Sequence, residues 1–551
     1  MTIAAALSMA NTAPLPSDFS ERAKELLEKS YAADGPGAVV IVVDDGKVVY
    51  EGGIGLADID AGTPITPDTV FRYASITKQF TAATILQLVA EGKVSLDAPL
   101  TDYLPEYPQP GGAATVRQLL NHTSGIMSYT AMPGFMEPEN TAKAMTTAQM
   151  LAYFGAAEMP AAHGERFSYN NSGYILLGAI IERVTGKNWD AAIRERIASP
   201  LGLRSLNSGI YEAGVANMAK GYSMDEGKVV PTQVIHMSLP HSAGALIGTV
   251  GDLATWASAL HSGKVVPDAL YSQMIAPTVL ADGSESPFGF GLLNGEVRGA
   301  ATIGHSGGIF GFSTDSLYIP EEDLFVAVLA NSNSPKTNPS LVMRRLAALA
   351  IGKPFPDYEP QPLDLALLEA VAGRYQFKEI VSEPFARDLF VSDGKLYTRR
   401  EGSQQLEVFN AGNGIYYYGP DSATYFTLGR DEAGTPVMNF HREGGEDADV
   451  GIRIGDVPSG PDDILLADAD RAALVGTYKL PIGPFTIGEQ DGRMTGKLGP
   501  QESVVLQSYA PDRLGAPQFG AEFEFKIENG RAVSMTLKQS GQEFTGERTE
   551  D

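Results

Sequence analysis

Two stretches far apart in the chain, LEAVAGRYQF at 368–377 and RAALVGTYKL at 471–480, repeat one pattern: a short apolar helical turn, Gly-x-Tyr, then the start of a strand. A second match follows each copy, SDGKLYTR at 392–399 against QDGRMTGKL at 490–498, where Asp-Gly turns separate short strands. A duplicated β unit must hide its strand edges, and closing on itself does so, which predicts two small antiparallel barrels of about 90 to 100 residues each. Their expected limits are 367–460 and 461–551, joined at VPSGPDD (457–463). The proline-rich GKPFPDYEPQPLD that begins at Gly352 marks 353–366 as a linker. A chain of 551 residues is too long for one ordinary core, so a separate domain must fold from residues 21–352.

That segment mixes helical and strand periods. From Ala38, AVVIVVDDGKVVYEGGIGLAD reads as a hairpin, an apolar run turning at Asp-Asp-Gly into an alternating strand. In TPDTVFRYASITKQFTAATILQLVAEGKVSLDAPL a short strand ends near Ser75 and a helix begins. Phe80, Ala83, Thr84, Gln87 and Leu88 would share one helical face, with Ile85 and Val89 on its flank and Gly92 as the stop. Further helices are predicted at 115–121, 146–155 and 250–260, and in SGYILLGAIIERVTGKNWDAAIRERIASPLGL, broken at Gly186 and closed at Pro200. ATIGHSGGIFGFSTDSLYIP and DLFVAVLANS read as strands separated by Pro320-Glu321-Glu322-Asp323. The class that follows is α+β, an antiparallel sheet with helices packed on it.

Charge and composition narrow the function. A formal charge of −26 repels phosphate backbones and anionic membranes, so nucleic acid is not an expected partner. No run approaches the roughly 20 apolar residues that span a bilayer, so no membrane insertion is expected. The lack of any cysteine excludes disulfides, thiolate nucleophiles and cysteine-held metals. The histidines show no H-E-x-x-H or other ligand spacing, so neither metal nor cofactor is expected. Compartment and homo-oligomer formation are left open. The opening MTIAAALSMANTAPLP is rich in small residues, and its Ser8-Met9-Ala10 resembles a cleavage site, yet a basic leader segment is missing. Residues 1–20 therefore read as a clipped export signal or a frayed terminus, which tips the expectation toward the periplasm over the cytoplasm.

Three short pieces together would build an acyl-transfer site: Ser75-Ile76-Thr77-Lys78, Tyr169-Asn170-Asn171 and His305-Ser306-Gly307-Gly308. A serine hydroxyl is inert near neutral pH unless a base, a proton relay and oxyanion donors surround it. Ser75 and Lys78, three apart on a helix, share a face with Cβ atoms about 5 to 6 Å apart. The helix start disfavours a second positive charge, so a partly neutral Lys78 can serve as general base. A chain this long holds about one Ser-x-x-Lys by chance, and the strand-to-helix setting is what gives this one weight. The turn-prone FSYNNSG presents Tyr169, to pass the proton between Ser75 and the leaving group, and Asn171, to hydrogen-bond Lys78 and the substrate amide. In the third piece glycines permit close backbone approach. The Gly308 N–H, with that of Ser75, would form the oxyanion hole, a device worth about 3 to 4 kcal/mol. His305 would line the same wall, and Ser306 and Gly307 would contact substrate. Taken singly, the pieces have plainer readings: a solvent-facing helix start, a turn with a half-buried tyrosine, a histidine at a sheet edge. Gly304-His305-Ser306-Gly307-Gly308 also fits the G-x-S-x-G nucleophile elbow, but an elbow must turn into a helix and GIFGFSTDSLYIP continues as strand.

The three pieces, their order and the text around them resemble the serine β-lactamase and penicillin-binding superfamily over roughly residues 35 to 350. TPDTVFRYASITKQFTA, VRQLLNHTSGI, GERFSYNNSGYILLGAIIERVTG and GHSGG carry the likeness, which is greatest to its class C-like branch of esterases, D-aminopeptidases and related peptidases, a linearised-microcystin peptidase among them. The resemblance implies a β-lactamase-like catalytic domain, an antiparallel sheet flanked by helices plus an all-helical subdomain, followed by two lipocalin-like β-barrels. It implies Ser75 as acylated nucleophile, Lys78 and Tyr169 as proton-transfer partners and Asn171 as the substrate-orienting amide. It makes His122 and Ser124 scaffold, and Trp256 reads as core. The superfamily's third motif usually starts with lysine, and a largely neutral His305 in that place would not supply the permanent charge for a substrate carboxylate, which counts against lactam antibiotics. Such barrels can lean over the active-site mouth; SYAPDRLGAPQFGA (508–521) is the candidate loop, and an ordinary hairpin connection is its plainer reading. The expected function is a cofactor-independent serine hydrolase cleaving amide bonds of short peptides, D-residue-containing ones among them, through an acyl-enzyme. Behind it stand a carboxylesterase on small acyl esters, a β-lactamase and a non-catalytic penicillin-binding protein.

Overall fold

The run at Ala38 is apolar at successive positions because both faces of its strand are covered. In the computed structural model, β1 (Ala38–Asp44), β2 (Lys47–Ile54), β3 (Leu293–Val297), β4 (Ala300–Ile309), β5 (Phe312–Ile319) and β6 (Leu324–Ala330) form one antiparallel sheet in the order β3-β4-β5-β6-β1-β2. The structure describes residues 15–549 except 226, 334–337, 379–384, 402, 420–421, 446, 459–462, 491, 500, 502 and 540–541. Residues 1–14 of the expected leader and 459–462 of the expected barrel junction lie outside the described residues. The chain divides into two units, Met1–Phe355 and Pro356–Asp551.

In the first unit the helices that position the site are α1 (Phe19–Ser30), α2 (Thr77–Ala90), α3 (Asn171–Thr185), α4 (Val250–His261) and α5 (Pro339–Ala350). Val40 and Val42 of β1 pack with Phe19 and Leu27 of α1 and Leu346 of α5, while Val39, Ile41 and Val43 face the main core with α2, α3 and α4. α2 departs from the expected one-sided pattern. It is buried on nearly every side, as befits a helix at the centre of a core, and only Gln87, Val89 and Ala90 are not fully covered. Its polar residues have partners: Thr84 Oγ1 donates to Phe80 O (2.9 Å), and Gln79 Oε1 accepts from Trp256 Nε1 (3.0 Å). Trp256 is core as expected, stacked on Phe80 with ring centroids 4.1 Å apart. Pro200 does not close the long helical stretch. The chain runs without a break from Trp189–Ile193 through a π turn into Ser199–Leu201, one residue past the proline, and Gly202 (φ +70°) ends it.

The second unit holds the duplicated β structure. Eight strands from Gly373–Phe377 to Asp449–Gly455 close into an antiparallel barrel, first strand on last. The second copy is a sheet of nine strands whose end strands, Val504–Val505 and Gln507–Ala510, are not paired with each other, so its ladder stops one step short of closure. The Gly-x-Tyr repeat has a physical reason. Buried Tyr375 and Tyr478 donate to the carbonyls of Val371 (2.5 Å) and Leu474 (2.6 Å), satisfying the ends of the helices Leu365–Val371 and Asp468–Leu474. The glycine of each copy lies against an arginine of the last strand: a Cβ at Gly373 would sit 2.3 Å from Arg453 Nε, and one at Gly476 2.6 Å from Arg548 Nε. Within 508–521 the strands Gln507–Ala510 and Arg513–Ala516 pair as a hairpin. Among the described residues no helix is long and apolar enough to cross a membrane.

Candidate active site

Ser75 stands where the short strand Phe71–Arg72 gives way to the 3-10 turn Ala74–Ile76, which runs directly into α2. Ala74 has φ +51°, a left-handed conformation that costs a residue with a side chain roughly 1–2 kcal/mol. Its neighbour Tyr73 is held on three sides: N–H to Leu246 O (2.9 Å), phenol to Thr249 O (2.6 Å), and carbonyl accepting from Thr314 Oγ1 (3.0 Å). Gly307 of β4 closes on the same turn, where a Cβ would lie 2.4 Å from Tyr73 O, so only glycine lets the strand come this near. Gly307 is thus packed on the nucleophile's turn, whereas Ser306 and Gly308 fall on the exposed side of β4. The pairing of β4 with β3 ends at Gly304, so one edge of the strand is open from His305 onward. The segment GIFGFSTDSLYIP turns back as strand β5, as the rejection of an elbow at Ser306 requires.

Lys78, one turn beyond Ser75, has no solvent exposure. Its Nζ lies 3.1 Å from Ser75 Oγ, 2.9 Å from Asn171 Oδ1 and 2.7 Å from Ala243 O. Burial drives its pKa well below the ordinary lysine value. Asn171 opens α3 because Asn170 caps the helix, its Oδ1 accepting from Gly173 N (2.8 Å). With Oδ1 on Lys78, the Asn171 Nδ2 donates to Thr130 Oγ1 (3.3 Å). The Tyr169 ring centroid is 4.9 Å from Lys78 Nζ. Burial raises the phenol's pKa and a hydrogen bond with Ser75 opposes that, leaving it protonated near neutral pH.

His305 is buried, donates from Nδ1 to Ser306 O, and is pushed down to about 4 by burial and by Lys78. A neutral imidazole stands here, as the departure from lysine in this motif predicts. His122 is scaffold, yet closer to the chemistry than the sequence suggests. Its Nδ1 accepts from Asn170 N (3.0 Å), and its ring lies 4.5 Å from that of Tyr169, centroid to centroid. Burial, Lys78 and His305 all lower its pKa. Ser124 is buried scaffold as well.

Four buried imidazoles make stability acid-sensitive. Burial is the largest cause of the lowered pKa of His122, His241, His261 and His305, which falls to about 3 for His241 and His261 and about 4 for His305. Below an unfolded value of about 6.5, the unfolded chain binds protons that the native state refuses. Their contribution is therefore fully present above that value and is lost as pH falls from about 6.5 toward 3 to 4, at a cost on the order of a few kcal/mol per histidine. Thermal melts from roughly pH 7.5 to 4.5 check this, and a flat Tm across that range would contradict it.

A cavity of about 360 Å³ opens beside Ser75 and Gly308, and Asn171, Ala243 and Gly244 also border it. Tyr129, Phe135, Ile235, Ile309, Phe310 and Phe312 give it an apolar wall, and no charged side chain lines it among the described residues. Neither this wall nor Ala243 was found from the sequence. The wall is spread over separate loops without a period, and Ala243 contributes a carbonyl, which every residue has.

A protein-family model described as Beta-lactamase matches residues 22–350. Penicillin-binding protein 4* of Bacillus subtilis is 25% identical over 431 residues, 75% of this chain and 94% of its own length. A D-aminopeptidase of Gluconobacter oxydans is 27% identical over 339 residues, 59% of this chain, and the match spans only 60% of that enzyme. Among solved structures, the D-amino acid amidase of Ochrobactrum anthropi SV3, in complex with L-phenylalanine amide, is 26% identical with a TM-score of 0.52, over 61% of this chain and 97% of its own.

Proposed function

The chain belongs to the beta-lactamase family and is a serine hydrolase, and from that premise we propose that Ser75 is acylated, that Lys78 is its base, and that amides of short, D-residue-containing peptides are the substrates. The observation that carries this reading is the lysine nitrogen 3.1 Å from Ser75 Oγ with two further acceptors at hand. A neutral amine has two hydrogens. Asn171 Oδ1 and Ala243 O take both, which leaves the lone pair facing the serine hydroxyl.

The Oγ–H bond breaks as Oγ attacks the amide carbon, and the proton moves to Lys78 Nζ. The backbone N–H groups of Ser75 and Gly308 meet the developing oxyanion. When the C–N bond breaks, the leaving amine takes a proton from Tyr169 OH, which is refilled from the Lys78 ammonium. A water then adds to the ester carbonyl, its proton enters the same relay, and the acid departs as Ser75 regains its hydrogen. A phenol that rests protonated suits a relay rather than a base. The apolar wall suits an apolar acyl residue, and a neutral His305 gives no cation to a substrate carboxylate. The D-aminopeptidase and D-amino acid amidase relatives support the D-residue assignment.

Because only neutral Lys78 accepts the proton, kcat/KM should be lost as pH falls through its lowered pKa and regained as pH rises through it. The test is parallel kinetics on D-alanyl anilide, L-alanyl anilide and a short-chain nitrophenyl ester. Turnover of the D-anilide above its L counterpart is expected; activity confined to the ester would remove the peptidase assignment.

A further inference from the structure

We propose that His241 is a positioning residue for Lys78, locking the turn whose Ala243 carbonyl aims the amine lone pair at Ser75. The inference rests on Lys78 as the base.

The turn His241–Gly244 packs against both α2 and α3 and is tied to α2 at two points, with Leu246 just beyond it adding a third. Ser242 O accepts from Thr81 Oγ1 (2.7 Å), Ala243 O from Lys78 Nζ (2.7 Å), and Thr77 Oγ1 from Leu246 N (3.1 Å). His241 itself has φ +43°, a conformation that persists in a side-chain-bearing residue only where its surroundings fix it. The surroundings here are specific. Ser242 Oγ gives its hydrogen to Tyr174 O (2.8 Å), so across the 2.8 Å contact with His241 it can only accept, and the imidazole hydrogen must sit on Nδ1. Nε2 then carries the lone pair and lies 3.2 Å from Thr147 Oγ1, whose hydroxyl also hydrogen-bonds Glu182. The Nδ1–H bond to Ser242 is available in the neutral form, which burial also favours. The groups facing the ring are the Trp189 indole, 5.0 Å away, and Glu182 Oε1, 3.9 Å from Nε2.

α3 is notched to admit this turn. A Cβ on Gly178 would lie 2.0 Å from Ser242 Oγ and 2.9 Å from His241 Cε1. His241 touches neither Ser75 nor the cavity, and its effect runs through one carbonyl. With that carbonyl displaced, the amine keeps a free hydrogen, rotates, and no longer presents its lone pair to Oγ.

The test compares His241→Ala, His241→Asn and Gly178→Ala by the rate at which a fluorophosphonate phosphonylates Ser75, with fluoride leaving and the serine proton passing to Lys78, and by kcat, KM and Tm. His241→Ala should slow phosphonylation and kcat about 100-fold, the scale of a small misplacement near the reacting atoms, with KM little changed. Asparagine tolerates the left-handed backbone, and its Nδ2–H can replace Nδ1–H toward Ser242, so His241→Asn should keep most of the rate. Gly178→Ala pushes the same turn from the opposite side and should reproduce the loss with His241 intact. A folded His241→Ala or Gly178→Ala that reacts at the wild-type rate overturns the proposal, as does His241→Asn losing as much as His241→Ala. If His241→Ala does not fold, Gly178→Ala decides alone. A wild-type protein that is never labelled at Ser75 overturns the underlying base assignment as well, whereas normal labelling that is lost in Lys78→Met but kept in His241→Ala overturns this inference only.

Discussion

Ser75→Ala is expected to lower kcat on a peptide anilide by on the order of 10⁴- to 10⁶-fold and to abolish the covalent adduct with a fluorophosphonate. Among the described residues no other hydroxyl in the cavity has a buried amine at hydrogen-bond distance on an adjoining helical turn, so none takes over the attack. The fold should be indifferent. Ser75 is half-buried, and the strained turn beside it is held through Tyr73 rather than through the serine side chain. Loss of the hydroxyl removes its hydrogen bonds with Lys78 and Tyr169, about 1 kcal/mol net each. Intact-mass measurement after labelling gives the direct readout: a mass increase in the wild type and none in the variant. An adduct on the alanine variant would mean that the nucleophile lies elsewhere.

Lys78→Met should cut kcat on the order of 10³-fold with KM nearly unchanged, because the base acts in the transition state and does not anchor substrate. Methionine is close to lysine in length and has no group to accept the proton. The acid limb that Lys78 imposes on the pH profile should disappear, leaving a low rate without that titration. Stability should hold or improve, since the native state no longer has to keep an amine out of water. Lys78→Arg should not rescue the activity, because a guanidinium does not release its proton in this range. A methionine variant that retains wild-type turnover would remove the lysine from the mechanism.

Much of this was legible in the sequence. The hairpin from Ala38, the helix begun at Ser75 and the duplicated Gly-x-Tyr all depend on local patterns, and local patterns survive in any tertiary setting that does not oppose them. The meeting of Ser75, Lys78 and Asn171 was read from residue types and likeness, and the distances agree with it. Where the reading missed, packing was the reason. The pattern predicts one buried face on α2, with Phe80, Ala83, Thr84, Gln87 and Leu88, yet Gln79 and Thr81 beyond that face also find partners inside the core. Pro200 reads as a terminator, yet the helix runs one residue past it and ends at Gly202. Gly307 is expected at the substrate from its motif, and the structure adds a packing reason for glycine there, the close approach to Tyr73. The Ala243 carbonyl and the strained backbone of Ala74 and His241 leave no mark in a one-letter code.

The acceptors that orient Lys78 lie 93 and 165 residues further along the chain. Helices can form in isolation, but those two atoms arrive only when distant segments have docked, which is the slow part of building any fold rich in remote contacts. A half-assembled polypeptide therefore owns a serine that cannot yet react. The reactivity of the nucleophile is thus tied to the docking of remote segments and not to the helix that carries it.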